Sequence, residues 1–111
     1  MSAVLQTARF AAVALWLSAA CAFGAKDWSD FSGDVLILGE FHDNPTHHAV
    51  QADAVRIIAP KAVVFEMLTP DEARALADVA RSPEAMRGAV GDFHWSNIAD
   101  YADILAASPV I

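Results

Sequence analysis

The sequence predicts an α/β fold: a parallel sheet with crossover helices. Three observations carry that expectation. Two short aliphatic runs, Asp34 to Leu38 and Lys61 to Phe65, have the length and continuity of strands covered on both faces. A helix-sized segment separates them, with capping residues at its start and a proline at its end. A third apolar stub, Pro109-Val110-Ile111, follows three more helical stretches. The order β-α-β-α-α-α-β asks for parallel strands joined by right-handed crossovers.

Each element has a local cause. Gly39 ends the first run and lets the backbone leave sharply. Asp43 or Asn44 caps the first helix, Pro45 suits its first turn, and Pro60 stops it. On that helix Asp53 and Arg56 mark the solvent side, while Val55, Ile58, His47 and Gln51 mark the opposite side and His48 lies at the margin. Thr69-Pro70-Asp71-Glu72 forms a capping box, with Glu72 reaching back to Thr69. Ser82-Pro83-Glu84 opens a shorter helix that Gly88 and Gly91 break. The segment from Asn97 to Ala107 is helical, apolar at Ile98, Tyr101, Ala102 and Leu105. The chain stops at the third run, so the expected object is the first three strands of a larger, truncated domain.

Composition separates two segments. The chain has 111 residues, 56% hydrophobic, and a formal net charge of −7. All 14 acidic residues lie beyond residue 25. Before that, Arg9 is followed by the uncharged run Phe10 to Leu17 and then by small residues. This is the layout of a secretory signal, too short for a spanning helix. The expected organisation is therefore a signal peptide over residues 1–25 and an α/β portion over residues 26–111. Leu17-Ser18-Ala19-Ala20-Cys21 resembles a lipobox with its bulky aliphatic residue one place early, and lipidated Cys21 would then anchor the chain to a membrane. With one cysteine no internal disulfide is available. The acidic balance excludes sequence-independent nucleic-acid binding and polybasic attachment to a membrane surface.

The candidate chemistry gathers at one edge. Ligands of parallel α/β sheets bind beyond the carboxyl ends of the strands. Glu40 stands at the first such end, with Phe41-His42-Asp43 after it, and Glu66 at the second. His47, His48 and Gln51 fall in the first two turns of the helix that follows. A single histidine among apolar neighbours is ordinarily a core residue or a cap, but three histidines and two glutamates on one edge form a candidate site. Imidazole with carboxylate suits Zn, Fe, Mn or Ni, and imidazole or tyrosinate can ligate haem iron. The spacing matches no HExxH motif, no serine sits in a G-x-S-x-G elbow, and no phosphate loop is present.

The run Val35 to Pro45, reading VLILGEFHDNP, with His47-His48 and Gln51 after it, resembles the opening motif of the ChaN-like haem-binding proteins. Phe65-Glu66-Met67 resembles that family's second strand, and Trp95, Tyr101 and the stretch Ala106 to Ile111 resemble the approach to its next strand. The resemblance covers about residues 34 to 111. It implies a haem- or iron-binding protein of the envelope, secreted across the inner membrane and periplasmic or outer-membrane-associated, acting in iron uptake. The partners it implies are a haem or iron source and a second copy of the chain.

Carried over residue by residue, the resemblance implies cofactor contacts at His42, His47, His48, Gln51 and Tyr101, and a divalent-metal set of Glu40, His42, His48 and Glu66. Two alternatives stay open. One is a metal-dependent hydrolase of the wider Tiki-like superfamily, using Glu40, His42 and Glu66. The other is a non-functional fragment.

Overall fold

The computed structural model of the chain describes residues 27–111. The leader read over residues 1–25, Cys21 included, lies outside the described residues. Among the described residues, four α-helices and one 3-10 helix make up the regular structure: α1 (Pro45–Ile58), α2 (Pro70–Ala75), α3 (Pro83–Ala89), the 3-10 turn Ile98–Tyr101, and α4 (Ala102–Ala107). None of these helices is long and apolar enough to cross a membrane.

The helix starts follow their capping residues. Asn44 caps α1, its side chain accepting from the backbone N–H of Thr46 at 2.9 Å and of His47 at 3.3 Å. The helix ends at Ala59, which adopts the left-handed conformation at φ 49° just before Pro60. Thr69 and Glu72 close the capping box of α2 in both directions. Ser82 caps α3 by accepting from Ala85 N–H at 3.2 Å. The segment expected as one helix from Asn97 divides into the 3-10 turn and α4, and its apolar positions at Ile98, Tyr101, Ala102 and Leu105 are all buried.

α4 is the hub. It packs against both α1 and α3, and the 3-10 turn touches all three. Ala52 and Val55 of α1, Met86 of α3, Leu76 and Val90 at the helix ends, and Ile98, Tyr101, Ala102, Ile104 and Leu105 form one core cluster, joined by Met67. The buried stripe of α1 runs through His48, Ala52 and Val55, at helical spacing. His48 therefore sits on the stripe, not at its margin, while Asp53 and Arg56 pair in solvent at 3.0 Å as their position suggests.

The parallel sheet with crossover helices is not formed. Among the described residues there is no strand, and the regular structure is helical throughout. A strand needs a ladder of lateral hydrogen bonds, and a central strand needs one on each side. Between the expected second and third strands the one backbone bond is Val63 N–H to the Val110 carbonyl, at 2.9 Å. The cover on both faces that such runs call for is missing: Val35 is 77% exposed, Ile37 87% and Val64 94%, while Val63 and Phe65 of the second run pack against the core on one side. A continuous aliphatic run signals a preference for burial on both sides. It does not supply the neighbours that would bury it, and here the core assembled on the helices.

Candidate functional site

Three pieces of chain meet at the site. The extended segment delivers Glu40 and His42 to a turn just ahead of α1. The first turns of α1 deliver His47, His48 and Gln51. The junction of the 3-10 turn and α4 delivers Tyr101 from about sixty residues along the chain. The capped start of α1 fixes the first two pieces relative to each other, because Asn44 closes the turn that His42 begins. Packing of α4 on α1 brings in the third.

Glu40 is the centre. Its carboxylate is 8% exposed. Oε1 accepts a hydrogen bond from the Tyr101 hydroxyl and lies 2.9 Å from His42 Nδ1. The Tyr101 oxygen is also 3.0 Å from His42 Nδ1 and 3.4 Å from the His42 carbonyl. Oε2 faces His48 Nε2 at 3.6 Å, beyond hydrogen-bonding distance, and both atoms are buried without a hydrogen-bond partner among the described residues. Burial pushes the Glu40 carboxyl up, but the hydrogen-bonding groups of Tyr101, His42 and Gln51, with the charge of His48, outweigh it and hold it below the usual carboxylate range. Tyr101 is moved the other way. Burial, the Glu40 hydrogen bond, and the charges of Glu40, Asp100 and Glu66 push its hydroxyl well above the phenol range. Tyr101 is therefore a neutral donor at neutral pH.

The aromatic surroundings are ordered. The His48 ring lies 4.3 Å from the Tyr101 ring, tilted 40°. Trp95 meets His42 edge-on at 5.1 Å. Phe41 stacks on His47 at 5.7 Å, and the Phe41 backbone N–H donates to His47 Nδ1 at 3.0 Å. His42 is the exposed member, with 39% of its side chain open to solvent. An open cavity of about 430 Å³ adjoins the start of α1, lined by Asp43, Pro45, His48 and Ala49 and by Arg87, Ala99, Asp100 and Asp103.

Of the residues the sequence singled out, Glu40, His42, His48 and Tyr101 are brought together, and His47 and Gln51 stand beside them. Glu66 is not in the cluster: it is exposed in a turn and reaches Tyr101 through its charge alone. Among the described residues no three His, Cys, Asp or Glu side chains stand where they could share a metal ion.

Two features escaped the sequence reading. Trp95 covers one edge of His42. The loop that carries Trp95 is tied down by its neighbour His94, whose backbone N–H and Nδ1 contact Glu72 Oε1 at 2.8 and 2.9 Å. Glu72 was legible as a cap, but a contact across twenty-two residues leaves no local signal.

The donor set fits haem iron at one place. His42 combines an exposed ring with a nitrogen, Nε2, that has no partner among the described residues, since both of its side-chain hydrogen bonds go through Nδ1. Tyr101, 1% exposed and donating to Glu40, and His48, 6% exposed, face inward.

The family model described as "Haem-binding uptake, Tiki superfamily, ChaN" matches residues 31–109. Comparison with curated proteins and with solved structures finds no match.

Proposed function

The chain belongs to the haem-binding uptake family ChaN of the Tiki superfamily, and on that footing we propose that it binds haem through His42 and serves iron uptake at the bacterial envelope. The observation that supports this reading is the exposed imidazole whose Nε2 has no partner among the described residues while Nδ1 is held by a buried carboxylate. Bound there, haem would supply an iron centre that can take an imidazole ligand, and His42 is the residue that would hold it. The chain's own part is to hold that imidazole still. Glu40 and Tyr101 grip Nδ1, and Trp95 packs on its edge. Phe41, 72% exposed, offers apolar surface to a flat macrocycle.

An envelope location fits the signal layout of residues 1–25, with processing at that leader and lipidation of Cys21 as the route of attachment. The hydrolase alternative draws no support from the arrangement, because Glu66 stands outside the cluster and no three-ligand set is assembled among the described residues.

The test is a haemin titration of the purified chain followed by its Soret band. A saturable shift that His42→Ala abolishes, with an unchanged far-UV circular dichroism spectrum, is expected. No saturable shift, or one that His42→Ala leaves intact, overturns the reading.

A further inference from the structure

His42 and His47 stand five residues apart beside the same turn, and their surroundings treat their ring nitrogens in opposite ways. We infer that Glu40 is the positioning residue that holds the His42 proton on Nδ1, while the Phe41 backbone N–H holds the His47 proton on Nε2, so that of the pair His42 alone presents a bare Nε2 to a metal centre. The inference rests on the haem-binding reading for its purpose, but not for its geometry.

The argument is one of counting donors. An ionised carboxylate only accepts. Glu40 Oε1 has two neighbours within bonding distance, the Tyr101 oxygen and His42 Nδ1. Tyr101 has one proton, and it is donated to the ionised Oε1. Tyr101 therefore has no proton left for Nδ1, although the two atoms are 3.0 Å apart. Three electronegative atoms in mutual contact need a second proton among them, and Nδ1 is the remaining atom that can carry it. The Nδ1–H then points at Oε1 and at the lone pairs of the Tyr101 oxygen. Neutral His42 is left with its lone pair on Nε2.

At His47 the logic is reversed. A backbone N–H always donates, and Phe41 N–H meets His47 Nδ1 at 3.0 Å. That nitrogen must accept, so neutral His47 carries its proton on Nε2, where a lone pair would be needed to ligate. Carboxylate partners of this kind fix the tautomer and raise the basicity of ligating histidines. Glu40 is itself immobilised by Tyr101, which is anchored in the core at 1% exposure.

The test reads tautomers directly, without haem. Nitrogen-15 NMR of the histidine-labelled full chain should show His42 with Nδ1 protonated and Nε2 bare, and His47 the other way round. Glu40→Ala should move His42 to the Nε2–H form that free neutral histidine favours in water. Tyr101→Phe leaves the Oε1 acceptor in place and should keep His42 on Nδ1–H, which provides a second variant should Glu40→Ala not fold. Wild-type His42 protonated on Nε2, an unchanged tautomer in Glu40→Ala, or a tautomer that flips in Tyr101→Phe overturns the assignment. Haemin affinity should fall about ten- to a hundredfold in Glu40→Ala. The expected tautomers together with a haemin titration blind to His42→Ala would support the positioning and overturn the haem reading instead.

Discussion

Replacing Tyr101 by phenylalanine keeps the ring and removes one oxygen. The ring is 1% exposed and lies on His48 at 4.3 Å, so its apolar burial is retained and the change isolates the hydroxyl. That hydroxyl donates to Glu40 Oε1, a carboxylate whose other oxygen has no hydrogen-bond partner among the described residues. A hydrogen bond to a charged group contributes about 1.5–3 kcal/mol net. Water has little access to an 8% exposed side chain, so the loss should lie in the upper part of that range, about 2–3 kcal/mol. Urea denaturation should show a lower midpoint with an unchanged slope. The melting temperature should fall by roughly 4–8 °C for each kcal/mol lost.

The loss should also depend on pH. Glu40 is held below its ordinary value of 4.5 against the opposing effect of burial, and Tyr101 supplies the largest of the lowering contributions. A depressed folded-state value means stability that is present above 4.5 and is lost as pH falls through the folded-state value. The variant forfeits part of that contribution, so the gap between wild type and Tyr101→Phe should be widest at neutral pH and narrow on acidification. A gap below about 0.5 kcal/mol at pH 7 would refute the reasoning. So would a gap that does not change with pH, or the same loss in a Glu40→Ala background.

Further outcomes follow from the core, the caps and the second carboxylate. Leu105→Ala empties a fully buried position on α4 and should cost about 2–5 kcal/mol by denaturant titration. Asn44→Ala removes the cap that starts α1 and should cost about 0.5–2 kcal/mol. It should also broaden the His42 and His47 resonances, because the same cap fixes the turn between them. Glu72 is drawn down to about 2 by the Thr69 backbone N–H first and then by His94. Its contribution is therefore present above 4.5 and lost as pH falls toward about 2, and Glu72→Gln should flatten acid unfolding in that window. Glu72→Ala removes the acceptors altogether, so tryptophan fluorescence should shift toward that of an exposed indole as His94 no longer ties down the Trp95 loop.

Local chemistry was legible wherever one turn of chain contains it. Asn44, Thr69 and Ser82 cap the helices they precede because a side-chain oxygen and an orphan N–H three residues on are close whatever the rest of the chain does. The Ile98, Tyr101, Ala102 and Leu105 stripe named its own buried face for the same reason of spacing. The grouping of Glu40 with His42 and the early α1 histidines was legible too, because a sharp turn and a capped helix leave those residues few places to go.

What the sequence by itself determined is the helices, their starts, the acidic balance and the run of ligating side chains from Glu40 to Gln51. What the tertiary structure alone decided is how those side chains are used. Packing of α4 on α1 delivers Tyr101 to Glu40, and that contact settles which groups donate and which accept. It turned His48 inward and left His42 open. It also left the aliphatic runs at Val35 to Leu38 and Val63 to Phe65 outside any sheet. A strand's hydrogen bonds are made to other strands, and no pattern within a run can state whether those partners are there. A helix satisfies its backbone within itself, and that is why the helical half of the reading survived.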